Sequence, residues 1–332
     1  MSAHTESLLE ETGAVLAGAP VGYLILYVYD IPESRDFYER RLGLRVIEAD
    51  EDTVKLDAGR VILALHRAAD YGITLAGRRD DASDVVFLVD DLNAARADLE
   101  ARGVSFIRRR TYEIGRVTDF YDPNGHRLMI YEPSATALSW PSAAKLREVW
   151  AAVGKGGSEL IGPASAPAGS GGLEGKPLVY LFMFVPSSAE ADAFYEGALG
   201  LENVERVHCC NPACPPEEKG IAKYDVGGML LTTHHIHRSP VVDDFGRVYS
   251  PRALDPEHTR GIAPVFLVSD IGAAAERLRA RGVHFTQTPV HSQIGEIARF
   301  EAPTGHAFFL YQPWAEVLKW PAGAKVGEIL GA

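Results

Sequence analysis

The chain repeats itself, and that repetition limits its fold more than any other feature. Residues 23–44, YLILYVYDIPESRDFYERRLGL, return as 180–201, YLFMFVPSSAEADAFYEGALGL, at an offset of 157. Residues 84–106 return as 263–285 at an offset of 179, and 114–133 return as 294–313 at 180. The tails LSWPSAAKLREV and LKWPAGAKVGEI, at 138–149 and 318–329, match as well. The widening offset places two loop insertions in the second copy, around 206–222 and 238–262. Between the copies, 151–176 is rich in Gly, Ala, Ser and Pro and reads as a linker. The expected organisation is an extension at 1–19, a first domain at 20–150, the linker at 151–176 and a second domain at 177–332.

Each copy divides again. A short apolar strand at 23–30 is followed by helical spacing over 33–41, closed by Gly43. Strands follow at 45–48, 53–56 and 61–66. The strand at 85–89 starts a second series, with a helix over 92–102 and strands at 104–106, 116–121 and 128–131. DPNG at 122–125 has the Pro and Gly placement of a type I turn. The order β-α-β-β-β thus occurs four times, which is an α+β class.

The 332 residues are 46% apolar, enough for two cores and too apolar for wholesale disorder. Lys plus Arg total 33 against 45 Asp plus Glu, a net charge of −12, and no basic stripe offsets it. Such a chain suits neither a phosphate backbone nor an anionic surface, so no nucleic-acid partner is expected. The three cysteines, Cys209, Cys210 and Cys214, are too few and too clustered for a disulfide framework. The N-terminus lacks the basic and apolar regions of a signal peptide, and no apolar run is long enough to span a membrane. A cytoplasmic protein, monomeric or homodimeric, acting on something small is expected.

With VYDIPESRDFYERRLGL, FLVDDLNAARADLEARGV and FYDPNGH in the first copy, and FYEGALGL, FLVSDIGAAAERLRARGV and FEAPTGH in the second, the chain resembles the vicinal oxygen chelate (glyoxalase/bleomycin-resistance/dioxygenase) superfamily. The resemblance covers about 20–133 and 177–313. It implies two tandem glyoxalase-like domains, each of two paired β-α-β-β-β modules curving around a cavity. It also implies one divalent ion (Fe, Mn, Ni or Zn) held by His, Gln or Glu at set strand positions. Those positions fall on Tyr23, Ala64, Asp84 and Met129 in the first copy, and on Tyr180, Thr232, Ala263 and Phe309 in the second. Asp84 alone is a good ligand for such an ion. The usual metal site is therefore not expected in either copy.

His66 and His234 are equivalent and lie two residues past a ligand position, hence on the same strand face. His66 with Asp84 is a candidate off-pattern metal site or acid–base pair; a rim histidine bonded to backbone or water is the plainer alternative. His235 and His237 read as a solvated strand end, and the cysteine loop with His208 as surface thiols rather than a zinc site. His126 and His306 read as turn-capping groups, and Arg108, Arg109 and Arg110 as a solvated face. Trp140 and Trp320 are expected to be buried, packing the matching tails.

Alternation points an aromatic-rich set inward: Tyr23, Tyr27, Met129 and Tyr131 from the first copy, and Tyr180, Phe184, His234, Phe309 and Tyr311 from the second. Such walls suit a planar or apolar organic ligand. Three functions compete. The first is metal-independent binding that sequesters or carries a hydrophobic or aromatic compound. The second is an enzyme of the superfamily (dioxygenase, isomerase or lyase) using a displaced metal or the His66–Asp84 pair. The third is a structural duplicate that only assembles with partners.

Overall fold

The inner strands are apolar at successive positions, not only alternate ones, so both faces of each sheet must be covered at its centre. Val21–Val28 has seven of eight residues buried, and Leu230–His235 and Ile262–Leu267 are buried throughout. The computed structural model describes residues 14–75, 80–153, 171–208, 220–236, 241–249 and 260–331.

Four β-α-β-β-β modules are present. Module 1 holds β1 (Val21–Val28), α1 (Ile31–Arg35), β2 (Val46–Ala49), β3 (Thr53–Asp57) and β4 (Ile62–Arg67). Module 2 holds β5 (Asp80–Leu88), α2 (Leu92–Ala101), β6 (Phe106–Tyr112), β7 (Gly115–Tyr121) and β8 (His126–Pro133), and the helix α3 (Ala143–Ala152) follows it. Module 3 holds β9 (Leu178–Val185), α4 (Ser188–Asp192), β10 (Asn203–Val207), β11 (Ile221–Asp225) and β12 (Leu230–His235). A small hairpin of β13 (Val241–Val242) and β14 (Val248–Tyr249) comes next. Module 4 holds β15 (Ile262–Leu267), α5 (Ile271–Ala280), β16 (His284–His291), β17 (Gly295–Glu301) and β18 (Ala307–Pro313), and α6 (Pro321–Leu330) closes the described chain. After α1 and α4 the helix widens into one π-helical turn, and Gly43 and Gly200 end the turns at φ of 75° and 71°.

The α+β class and the two glyoxalase-like halves stand; the pairing of modules does not follow the copies. One eight-stranded sheet runs β16-β17-β18-β15-β1-β4-β3-β2, so module 1 pairs with module 4. The other runs β10-β11-β12-β9-β5-β8-β7-β6, joining modules 2 and 3. Antiparallel seams, β1 on β15 and β5 on β9, connect them. The domains expected at 20–150 and 177–332 therefore interleave, each giving one module to each sheet. The physical reason lies in the seam residues: Leu24 and Leu26 on β1 and Phe266 on β15 are all fully buried, as are Val85, Phe87 and Leu181 at the other seam.

One face of each sheet, with α1, α2, α4 and α5, enters a single large core that includes Tyr38, Phe87, Phe120, Phe266 and Phe308. The opposite faces carry smaller clusters, one with α6 on the 1/4 sheet and one with α3 on the 2/3 sheet. His126 and His306 bond across modules, and His306 also holds its own turn as expected, its Nδ1 lying 2.7 Å from Thr304 Oγ1. His126 Nε2 meets the Tyr27 carbonyl at 2.7 Å, and His306 Nε2 meets the Ala82 carbonyl at 3.1 Å. The two ends of the expected linker belong to the packed structure: Ala151 and Ala152 finish α3, and buried Leu173 donates its N–H to the Leu42 carbonyl at 2.6 Å. Residues 154–170 lie outside the described residues. No described helix is long and apolar enough to cross a membrane.

Candidate functional site

Strand alternation puts Tyr23, Ile25 and Tyr27 of β1 on one face, beside Ala64 and His66 of the parallel β4. Across the seam stand Ala263 and Val265 of β15, then Phe309 and Tyr311 of β18 and Ile297 and Arg299 of β17. Most of these side chains, with Tyr27 and Ala263 buried behind them, surround a cleft of about 480 Å³ on the 1/4 sheet. Its walls include Tyr23, Ile25, Val265, Ile297, Phe309 and Tyr311, and α6 closes one side with Ala322 and Gly323. The Tyr23 and Tyr311 rings meet edge to face at 6.1 Å. Tyr311 is fixed by its hydroxyl, which donates to the Ile294 carbonyl at 2.8 Å. Gly295, at φ 153°, makes room for that ring: a Cβ there would lie 2.7 Å from Tyr311 Cε2. Trp320, expected to be buried, is 45% exposed at the edge of the cleft: it is the N-cap of α6, just before Pro321, rather than part of the helix's packed face.

The polar groups of the cleft are few. His66, at the end of β4, bonds through Nδ1 to the Tyr71 hydroxyl at 2.8 Å, and its Nε2 has no hydrogen-bond partner among the described residues. Burial, helped by the nearby Lys55 ammonium, pulls the His66 pKa down to about 4, so the ring is neutral at physiological pH. Lys55 pairs with Glu48 at 2.7 Å. The Tyr23 hydroxyl makes no hydrogen bond among the described residues, and burial raises its pKa. Tyr27 lies beneath the lining, fully buried, its hydroxyl without a partner.

The 2/3 sheet carries Tyr180, Phe184, Thr232, His234, Asp84, Met129 and Tyr131 at the matching positions. Asp84 and His66 therefore lie on different sheets, and the expected acid–base or metal pair does not form. Asp84 is instead clasped by Arg127, with Nε on Oδ1 at 2.6 Å and Nη2 on Oδ2. Arg127 also lies 3.8 Å from Asp119, which takes Arg108 Nε at 2.6 Å. All four are buried. Arg108 was expected on a solvated face; it turns inward because β6 pairs with β7 so that it sits opposite Asp119. His234 bonds through Nδ1 to the His235 carbonyl at 2.6 Å, and both rings are buried rather than solvated. Trp140 is half-buried with the Lys223 ammonium 5.4 Å from its ring centre. Of the ring residues expected to bind a ligand, the 1/4 cleft gathers Tyr23, Phe309 and Tyr311 over Tyr27. Met129, Tyr131, Tyr180, Phe184 and His234 gather on the 2/3 sheet. Arg299 of the cleft was not foreseen; its signal was a cation aligned with Asp119 of the other copy. Cys209, Cys210, Cys214 and His237 lie outside the described residues.

The model of the Glyoxalase/Bleomycin resistance protein/Dioxygenase superfamily matches residues 21–130 and 178–310, most of the chain. The protein belongs to that superfamily. Similar solved structures include glyoxalase I from Zea mays, 14% identical, with a TM-score of 0.54 over 88% of this chain and 92% of that one. Another is a "putative dioxygenase" from Bacillus subtilis, 15% identical, with a TM-score of 0.54 over 91% of this chain and 88% of that one. At these identities they share the fold. No curated protein matches the chain.

The superfamily implies a divalent ion, and the residues present do not fit one. The four ligand positions on this face of the 1/4 sheet are Tyr23, Ala64, Ala263 and Phe309, which together offer one phenol and no carboxylate or imidazole. Those of the 2/3 sheet are Tyr180, Thr232, Asp84 and Met129, and both oxygens of Asp84 are held by Arg127. Among the described residues no three His, Cys, Asp or Glu side chains converge.

Proposed function

We propose that the protein binds a small, flat, largely apolar organic molecule in the 1/4 cleft, sequestering or carrying it by burial and ring contact. The observation that carries this reading is the cleft itself. Its 480 Å³ falls within the range typical of small-molecule sites, and aromatic and aliphatic walls surround a handful of polar tips. Edge-to-face rings such as Tyr23 and Tyr311 grip a planar guest on its faces and edges. The missing carboxylates and imidazoles at Tyr23, Ala64, Ala263 and Phe309 fit recognition that does not pass through an ion. The test is a titration with a neutral arene, 2-naphthamide, followed by calorimetry, beside native mass spectrometry of the purified protein. Saturable binding that is lost when Val265→Trp fills the cleft supports the reading. Binding untouched by that substitution overturns it.

A second reading rests on His66. A neutral imidazole with an unpartnered Nε2, oriented by Tyr71 through Nδ1, has the arrangement of a general base. In that case the cleft would also move a proton on its guest. His66→Gln would then abolish turnover while leaving affinity within a few-fold; equal loss of both would reduce His66 to a wall of the cleft.

A further inference from the structure

The two sheets offer an internal control, because their modules correspond residue by residue. Asp119 corresponds to Arg299, at the 180 offset, and Arg108 and Gln287 sit opposite these two residues across equivalent strand pairs. Arg127 corresponds to Ala307, Asp84 to Ala263 and Phe184 to Tyr27. On the 2/3 sheet the four positions form a balanced set, two carboxylates against two guanidiniums. On the 1/4 sheet three of the four charges are gone, and the one that stays is inverted: a carboxylate has become the guanidinium of Arg299.

Among the described residues that cation is only partly balanced, and its guanidinium lies 5.9 Å from the Phe309 ring centre. Arg299 approaches one carboxylate, Glu301, at 3.4 Å, and Arg260 lies at the same distance from the same group. Two guanidiniums thus share one carboxylate. Arg299 Nε is buried with no acceptor, and so is the hydroxyl that Tyr27 has and Phe184 lacks. A buried donor left unpaired costs about 1–3 kcal/mol, so two in one place mark a position that something else completes. The other charges lining the cleft do not do it. Glu48 is taken by Lys55, Asp70 stands at the rim near Arg67, and His66 is neutral. Ala263 and Ala307, both fully buried, supply no charge where Asp84 and Arg127 stand on the other sheet.

Resting on the cleft as the binding site, we infer that its guest is an aromatic anion, an arene bearing a carboxylate, whose charge is met by Arg299 while its ring lies among Tyr23, Phe309 and Tyr311. The guest's carboxylate then takes the part that Asp84 and Asp119 play on the 2/3 sheet. Arg suits it because the planar guanidinium matches a carboxylate fork.

The experiment compares 2-naphthoate with 2-naphthamide, which share a ring system and differ in charge, on the full chain by calorimetry. Naphthoate should bind at least tenfold more tightly at low salt, with the ratio shrinking as ionic strength rises. Arg299→Gln should lower naphthoate affinity at least tenfold and leave naphthamide within threefold. Arg299→Lys should keep part of the preference. Equal affinity of the two probes for the unmodified protein, which needs no variant, overturns the inference, as does a preference that survives Arg299→Gln. Those outcomes leave the cleft standing as a binding site; binding of neither probe at millimolar concentration overturns both.

Discussion

The 1/4 and 2/3 sheets have the same strand order, the same helix across one face and the same Lys–Glu pair at one edge, Lys55–Glu48 and Lys223–Glu205. They differ in what stands at the centre of that face. The 2/3 sheet buries Asp84, Arg127, Asp119 and Arg108 as a connected ionic group, whereas the 1/4 sheet has Ala263, Ala307, Arg299 and Gln287. In one module pair the charges answer one another inside the protein. In the other they have been reduced to small residues and one cation, and a cleft stands beside them. Duplication allows this division: one pair can stay structural while the other changes.

The largest effect should come from breaking the ionic group. Arg127→Leu leaves Asp84 buried with its partner gone, and Asp119 with Arg108 alone, and should cost about 3–5 kcal/mol of unfolding free energy. Arg299→Gln, its counterpart region on the 1/4 sheet, should cost no more than about 1 kcal/mol, because the guanidinium is incompletely paired already. Chemical denaturation of the two variants checks the contrast. Equal costs would mean that the two faces are held together in the same way.

A smaller effect separates the sheets by pH. Burial lowers the His66 pKa from 6.5 to about 4 in the folded protein. The unfolded chain therefore takes up a proton first as pH falls. The stabilisation from a neutral His66 is complete above pH 6.5 and is lost as pH drops through 4. It amounts to something on the order of 2–3 kcal/mol. His66→Gln should flatten the stability profile between pH 6.5 and 4 relative to the unmodified chain, as measured by urea midpoints. Profiles that run parallel would show that His66 is not desolvated.

The tryptophans should differ more modestly. Trp140→Ala removes a ring that carries the buried Lys223 ammonium and should cost about 1–2 kcal/mol of stability. Trp320→Ala removes a ring that is 45% exposed. It should leave the melting temperature nearly unchanged and weaken naphthoate binding three- to tenfold. A large loss of stability at Trp320 would make it a packing residue after all.

The strands, the fourfold module order and the inward faces were legible because side chains alternate along a strand, and that period survives any choice of partner. Tyr23, Tyr27, Phe309 and Tyr311 were placed on the right face for that reason. Which modules share a sheet was not legible. The seams β1–β15 and β5–β9 join residues about 240 and 95 positions apart, and the alternation along a strand does not name its partner across a seam. Pairing His66 with Asp84 depended on that choice and failed with it. The inward turn of Arg108 was hidden for a related reason: a run of three arginines reads as solvated until its cross-strand neighbour is known. The alignment of the copies did hold a clue. Asp84, Arg108, Asp119 and Arg127 change together to Ala263, Gln287, Arg299 and Ala307, and complementary charges lost as a set point to a shared contact.

The smallest expected effect is none at all, and it bears on chemistry rather than stability. Neither sheet presents donors for a divalent ion at the superfamily's positions, but for opposite reasons. The 1/4 sheet has lost them to Ala64, Ala263 and Phe309, and the 2/3 sheet keeps one carboxylate that Arg127 occupies. An ion held by one monodentate oxygen keeps most of its water and binds weakly. Naphthoate affinity should therefore be the same within twofold before chelation, after it, and after adding iron, manganese, nickel or zinc. The two sheets also predict where an exception would arise. Arg127→Ala frees Asp84, so metal uptake that appears only in that variant would locate the latent site on the 2/3 sheet and keep the cleft metal-independent. Stoichiometric metal in the unmodified protein, with chelator-sensitive binding, would overturn the reading and require donors from outside the positions compared above.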